Sequence, residues 1–304
     1  MQTRKGLVHA VTRDYQLWIM ILPAIIVILI FNYIPMYGIQ LAFRDYDFSK
    51  GLTGGEWRGL AYFQQFIDSY LFTDLMRNTF LISLASIVLG FPAPIILALI
   101  LNQIRRKKMK QLMQTTVYLP HFISVIVLVG MLNVLLSAET GVVGHLMKVV
   151  GLGHINLLAS TGTFIPVYVL SDIWQHCGWN SIIYLAALST VDPQLYDAAR
   201  IDGASRWQTI RFVDIPALVP TIIILFILSM GNILSTGFEK IFLMQNSLNL
   251  PVSEVIATYV YKIGIVSSQF SLASAIGLFN TVINFIFLFA MNTISKRVSE
   301  TSLF

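Results

Sequence analysis

The sequence predicts an all-α fold, a polytopic membrane helix bundle of six transmembrane helices, on three observations. Of the 304 residues, 56% are hydrophobic and only 12% charged, and the mean hydropathy is +0.73, which is more apolar surface than a soluble domain of this size can hide. The apolar residues gather into six stretches that approach or meet the ~20 residues needed to cross ~30 Å of hydrocarbon. Basic residues flank those stretches, with 13 of the 20 Lys and Arg on one side of the implied topology. That placement accounts for the net charge of +5 as membrane flanks and not as a nucleic-acid surface.

In chain order, residues 1–16 form a short basic leader with Arg4, Lys5 and Arg13, expected on the cytoplasmic side. The first span, 17–43, holds Pro23 and Pro35 and is too long and proline-interrupted for a cleaved signal segment, so it is expected to remain as an anchor. An extracytoplasmic loop follows at 44–78, within which Tyr62 to Tyr70 has the pattern of a helix lying on the membrane surface. Residues 79–296 then carry the remaining five spans, and 297–304 form a tail. The second span, 79–101, contains Pro92 and Pro94, which are expected to kink or unwind it. Arg105, Arg106, Lys107, Lys108 and Lys110 make the next loop cytoplasmic. The other spans are expected at 117–136, 164–188, 217–234 and 272–294, which puts both termini, the basic loop and residues 192–216 on the same side.

Residues 192–216, DPQLYDAARIDGASRWQTIRFVDIP, are a polar island between two spans. Asp192 before Pro193 is a helix start: the carboxylate accepts orphan N–H groups, and proline supplies a preset φ where no donor is needed. Gly203 permits a left-handed corner. Ser205 with Gln208 three residues on is a capping-box spacing that opens a second helix, and Pro216 is expected to push Ile215 out of the α region and end it. The result is helix, glycine corner, helix, with a small Ala-rich face.

No GxxxxGK[ST] phosphate loop occurs, so no Walker-type ATP site is expected in this chain, and HExxH, GxSxG and paired-cysteine motifs are also absent. His9, His121, His145, His154 and His176 lack metal-ligand spacing. The single cysteine, Cys177, reads as a small buried hydrophobe and excludes internal disulfides.

The island also carries a resemblance. Asp197-Ala198-Ala199, two residues, Asp202-Gly203-Ala204, five residues, Ile210, then Val213 and Ile215-Pro216, is similar to the EAA loop of permease subunits from binding-protein-dependent ABC importers. That family has Glu for Asp197, Phe for Ile210, Ile for Val213 and Leu for Ile215, each a change that keeps charge or apolar character. The YIPMYG element, the 102–110 basic loop, TVYLPHFIS at 116–124, and the GFEKIFLMQN and EVIATYVY runs resemble the oligosaccharide and polysaccharide branch of the type I, maltose-transporter-like carbohydrate permeases. The resemblance implies a non-catalytic subunit working with a second permease, two ATPase subunits that bind ATP and Mg, and an extracytoplasmic solute-binding protein or lipoprotein. It also implies that Asp197, Ala198, Ala199, Asp202, Gly203 and Ala204 form the coupling helix that docks in a cleft of the ATPase.

The fourth span has an unusual polar load: Asp172, Trp174, Gln175, His176, Trp179, Asn180 and Tyr184. Intramembrane polar groups tend to face a bundle interior or wet cavity, and sugars are held by aromatic faces and hydrogen-bonding side chains. Gln175, Trp179 and Asn180, with Asn232, Ser235 and Thr236 after the fifth span, are therefore the expected substrate path. Helix packing and interfacial anchoring are the competing roles for the same residues. Asp172 and His176, spaced i to i+4, leave open an alternative of another class: an ion-coupled carrier or membrane-embedded enzyme. Residues 235–269 are expected to be a long external segment facing the binding protein.

Overall fold

A computed structural model describes residues 15–298 apart from Thr53, Val150, residues 152–155 and Thr236. The described residues are overwhelmingly helical, with no strand among them and two isolated bridges, Arg44 with Trp57 and Asp47 with Gly51. In order the helices are α1 (Tyr15–Phe43), α2 (Ala61–Ile67), α3 (Phe72–Asn102), α4 (Lys107–Phe122), α5 (Val125–Leu135), α6 (Val142–Val149) and α7 (Phe164–Ser189). There follow α8 (Pro193–Ile201), α9 (Arg206–Met230), α10 (Phe238–Met244), α11 (Leu250–Ser253), α12 (Ile256–Val266) and α13 (Phe270–Val298).

Each of the six expected spans coincides largely with helix, the fifth, 217–234, running past the end of α9 at Met230. Four, α1, α3, α9 and α13, are long and apolar enough to cross a membrane as single helices. The third expected span is not one straight helix: α4 and α5 are bent by 96°. Around Pro120 the chain tightens into a 3₁₀ turn, Ile123 is extended, and Ser124 starts a new helix by accepting from the Val127 amide at 3.4 Å. The fourth, α7, is 26 residues long, or ~39 Å, and only its polar load sets it apart from the others.

Proline does not end these helices in the way the sequence suggests. In α1, α3 and α9 a wide π turn closes two residues before a proline: 29–33 before Pro35, 86–90 before Pro92, and 210–214 before Pro216. A proline ring collides with the carbonyl four residues back and offers it no donor. Those carbonyls belong to Phe31, Val88 and Phe212, all inside the wide turns, where the shifted register relieves both problems. Pro216 therefore does not terminate the second island helix. Ile215 stays α-helical at φ −62°, ψ −49°, donates to the Ile210 carbonyl, and the helix runs on as the fifth span.

The chain falls into two compact units, Met1–Ile67 with Ile263–Leu278, and Asp68–Lys262 with Phe279–Phe304. In the first, the apolar window of α1 is entirely unburied. Its loop is tied by Arg58 to Asp45 at 3.1 Å, the Tyr62 hydroxyl donating to Asp45, and Phe43 stacked on Trp57 at 5.6 Å. In the second, Ile82, Phe164, Tyr168, Ile241 and Val255 form one core cluster, and Ala98, Tyr184, Leu188 and Leu218 another.

Within that second unit, residues 238–262 are folded structure and not an open external loop. Asn249, fully buried, donates to the carbonyls of Leu158 and Met244 and accepts from Ser253. Asn78 on α3 donates to the carbonyls of Pro251 and Glu254. Asparagines and serines that look like loop chemistry in sequence are here satisfying a buried backbone.

Candidate functional site: a coupling elbow and a polar cavity

The island adopts the helix, corner and helix anticipated for it. The Asp192 carboxylate accepts from the Gln194 amide at 2.9 Å with Pro193 in the first turn. Gly203 sits at φ +74°, and the Ala204 amide reaches back to the Ala199 carbonyl at 2.9 Å, a Schellman closure. Ser205 and Gln208 cap each other, at 2.7 and 3.3 Å. Asp197, Ala198, Asp202 and Gly203 are exposed and Ala199 and Ala204 half-buried, so all six motif residues lie at one corner. Around them Leu195 is 53% exposed and Ile201 86%, apolar side chains standing open on a polar elbow. The Asp197 to Arg200 pair, 3.2 Å apart, is solvated and of small energetic weight.

Beneath the elbow lies a group that sequence reasoning missed. Asp214, in the wide turn of α9, is fully buried. Its oxygens accept from the Tyr196 hydroxyl of α8 at 2.7 Å, from Gln103 Nε2 at 2.9 Å and from Asn102 Nδ2 at 3.4 Å. Burial, then the hydrogen bond to Asp214, push the Tyr196 phenol up to about 12, so it remains a donor throughout the neutral range.

Toward the middle of the second unit, the wide turn of α3 faces the polar side of α7. Ser86, Gly90, Asp172, His176, Asn180 and Ser229 contribute to the wall of a cavity of about 300 Å³. Asp172 accepts from Lys240 Nζ of α10 at 3.1 Å, with His176 Nδ1 at 3.5 Å. Lys240 is 4% exposed; it also donates to the Tyr168 carbonyl at 3.1 Å and lies 4.8 Å from the centre of that ring.

The opposite face of α7 grips the bend between α4 and α5. Gly178 is needed there: a Cβ would lie 1.9 Å from the Val117 carbonyl oxygen. Gln175, 2% exposed, donates to the Ile123 carbonyl at 2.8 Å, satisfying a group freed by the bend. Trp179 stacks on His121 with centroids 4.5 Å apart.

The profile of the family described as binding-protein-dependent transport system inner membrane component matches residues 90–300. The chain belongs to that family. Protein LplB of Bacillus subtilis (strain 168) is 39% identical over 97% of this chain and 93% of its own length. The polygalacturonan/rhamnogalacturonan transport system permease protein YteP of the same organism is 38% identical over 100% and 94%. Among solved structures, a chain from the crystal structure of a bacterial ABC transporter involved in the import of the acidic polysaccharide alginate matches with TM-score 0.88 and 38% identity, over 97% of this chain and 99% of that one. A chain from the alginate transporter in complex with alginate pentasaccharide-bound periplasmic protein matches equally well.

In this binding-protein-dependent permease, the five described residues of the six expected to line a path do not converge on one surface. Asn180 borders the cavity, while Gln175 is buried on the far side of α7 and Trp179 is 42% exposed against His121. Asn232 is exposed and donates to the Leu228 carbonyl; Ser235 accepts from Asn284 Nδ2 at 3.0 Å. Thr236 lies outside the described residues. Of Asp172 and His176, the basis of the carrier alternative, Asp172 is paired with the buried Lys240 and His176 lies against Asp172, so the carboxylate has a structural occupation already. Lys240 carried no signal in sequence because its segment read as loop.

Proposed function

We propose that this subunit is a permease of an ATP-driven importer of an oligosaccharide or polysaccharide, coupled to ATPase subunits through the 192–216 elbow. The observation that carries this reading is the elbow: a capped, rigid helix pair with a left-handed glycine corner and exposed apolar side chains at Leu195 and Ile201. Such a surface suits close docking of Asp197, Ala198, Ala199, Asp202, Gly203 and Ala204 into a protein cleft. The chain itself is non-catalytic and binds no cofactor; ATP and Mg are held by the two partner ATPases. A second permease completes the translocation path, the unburied face of α1 being available to it or to lipid. An extracytoplasmic binding protein or lipoprotein delivers substrate, as the alginate transporter's complex suggests.

Topologically, the leader, the 105–110 basic loop, the elbow and the tail are cytoplasmic, and the multi-pass chain sits in the cell membrane. Closure of the ATPases displaces the elbow and with it the bundle, changing the side to which the path opens. Asn180 is the side chain best placed to meet substrate, because it borders the cavity; Trp179, Asn232 and Ser235 are exposed, and Gln175 holds α7 against the bend between α4 and α5.

The test is purification from its native membrane followed by reconstitution in vesicles. ATPase subunits and a second permease should copurify, and uptake of uronate oligomers or of neutral oligosaccharides should require ATP inside and survive an ionophore. Uptake that proceeds without nucleotide, or impermeant labelling of Gln194→Cys from outside intact cells, would overturn the reading.

A further inference from the structure

Asp214 is a carboxylate with none of its surface exposed, and among the described residues no Lys, Arg or His pairs with it. A buried carboxyl group without a cation beside it is costly, and an apolar residue would pack the wide turn of α9 more cheaply. What the carboxylate supplies is three acceptor contacts to two other elements: Tyr196 of α8, and Asn102 and Gln103 at the end of α3. Tyr196 lies in the middle of the helix that carries Asp197, Ala198 and Ala199. From Asn102, α3 runs back through 16 residues to Ser86 at the cavity, ~24 Å of helix.

We propose that Asp214 is a positioning residue that fastens the ATPase-docking helix to the end of α3, so that α8, α3 and the base of α9 travel as one block when the elbow is displaced. The proposal rests on the coupling role given to the elbow above. It assigns the transmission of that motion to one buried acceptor that lies between Val213 and Ile215-Pro216 and outside the docking motif itself. α9 moves because it is continuous with the corner; α3 packs on α7 and α9 through Ala98, Tyr184, Leu188 and Leu218, and the hydrogen-bonded tie adds a polar fastening of its end to α8. Because α3 lines the cavity at its wide turn, the tie links the elbow to that part of the cavity wall, beside the direct continuation of α7 into the elbow.

The experiment uses the complete importer in lipid, with Cys177 replaced by Ser and spin labels at Gln194→Cys on α8 and Ile100→Cys on α3. Distances are read in the nucleotide-free and ADP–vanadate-trapped states. The separation should be the same in both. In D214N the new amide presents N–H to the Gln103 N–H, and the separation should shift by several ångström on trapping. The double variant D214N/Q103E restores one donor and one acceptor with their roles exchanged and should restore the constant separation. If D214N does not assemble, Tyr196→Phe, which removes only one hydroxyl, should give the same loss of rigidity. A separation that changes in the unmutated protein, that stays constant in D214N or Y196F, or that Q103E fails to restore, overturns the proposal. A control pair, Gln194→Cys with Val134→Cys on α5, should change on trapping; if it does not, or if no ATPase is bound to trap, the coupling role of the elbow fails instead.

Discussion

Lys240→Met isolates the energetics of the bond between α7 and α10. The lysine is 4% exposed, with its ammonium 3.1 Å from both the Asp172 carboxylate and the Tyr168 carbonyl. Removing one member of a buried pair costs about 3–5 kcal/mol when the other is left fully buried. Asp172 keeps 40% of its side-chain surface, so screening reduces that to about 2 kcal/mol. The Tyr168 carbonyl loses a donor, adding about 1 kcal/mol, while methionine fills most of the vacated volume. The sum, about 2–3 kcal/mol, should lower Tm by about 5–10 °C for a unit of this size, read by thermal unfolding in detergent or nanodiscs. Asp172→Asn alone should cost more, because it strands an ammonium with no route to water. The double variant K240M/D172N should be more stable than either single variant, so that the coupling energy in the double-mutant cycle exceeds the cost of D172N alone. A double variant no more stable than K240M, or a K240M protein as stable as the parent, would refute the claim that the pair holds α10 on α7.

Three further outcomes follow from single positions. Gly178→Ala forces a methyl 1.9 Å from the Val117 carbonyl and should cost about 1–3 kcal/mol of stability, measured as a lower Tm and a smaller folded fraction on size exclusion. Gly203→Leu sits at φ +74° with open space around its Cβ; strain of about 1–2 kcal/mol should leave membrane insertion intact while ATPase copurification and uptake are lost, and normal uptake would count against the elbow as the docking point. In the first unit, the Tyr62 hydroxyl and then Arg58 hold the Asp45 carboxyl below the usual carboxylate range. A depressed folded pKa stabilises above the unfolded value of about 3.9 and is lost as pH falls through the folded one, so the 44–62 loop should loosen only below about pH 4, seen as a change in tryptophan fluorescence that is absent in both Trp57→Phe and Asp45→Asn.

What could be read from sequence and what could not divide along a physical line. Span positions and island chemistry were legible because hydropathy and caps are local: Asp192, Pro193, Gly203 and the Ser205–Gln208 pair each act within four residues, and each does in the structure what its type implies. Interactions between distant segments were not. Asp214 reads as one more polar residue of the island until α3 and α8 are brought beside it. Lys240 reads as a loop cation until α10 folds under α7. Gln175 fits a sugar site as well as it fits packing until the bend after Pro120 presents the Ile123 carbonyl to it.

The prolines show how a local rule can be right in mechanism and wrong in consequence. Pro35, Pro92 and Pro216 each remove a donor and crowd the carbonyl four residues back, as any helix proline does, and in water that commonly ends the helix. Within an apolar span the unwound alternative would strand several backbone groups away from solvent, so a single widened turn is the cheaper response, and it appears at the same offset before all three. A widened turn also turns side chains that a regular helix would point elsewhere. In α3 it brings Ser86 and Gly90 to the cavity, and in α9 it carries Asp214 inward to Tyr196 and Gln103. Replacing Pro216 with alanine should therefore do more than straighten α9: with the widened turn no longer required, a regular register would rotate Asp214 by about 100° per residue slipped and release Tyr196. The expected result is a P216A protein at least as stable as the parent to heat but with α8 no longer held to α3, read by the same Gln194 and Ile100 labels; a P216A protein that keeps that separation constant would show that the turn, and not the proline, sets the position of the acid.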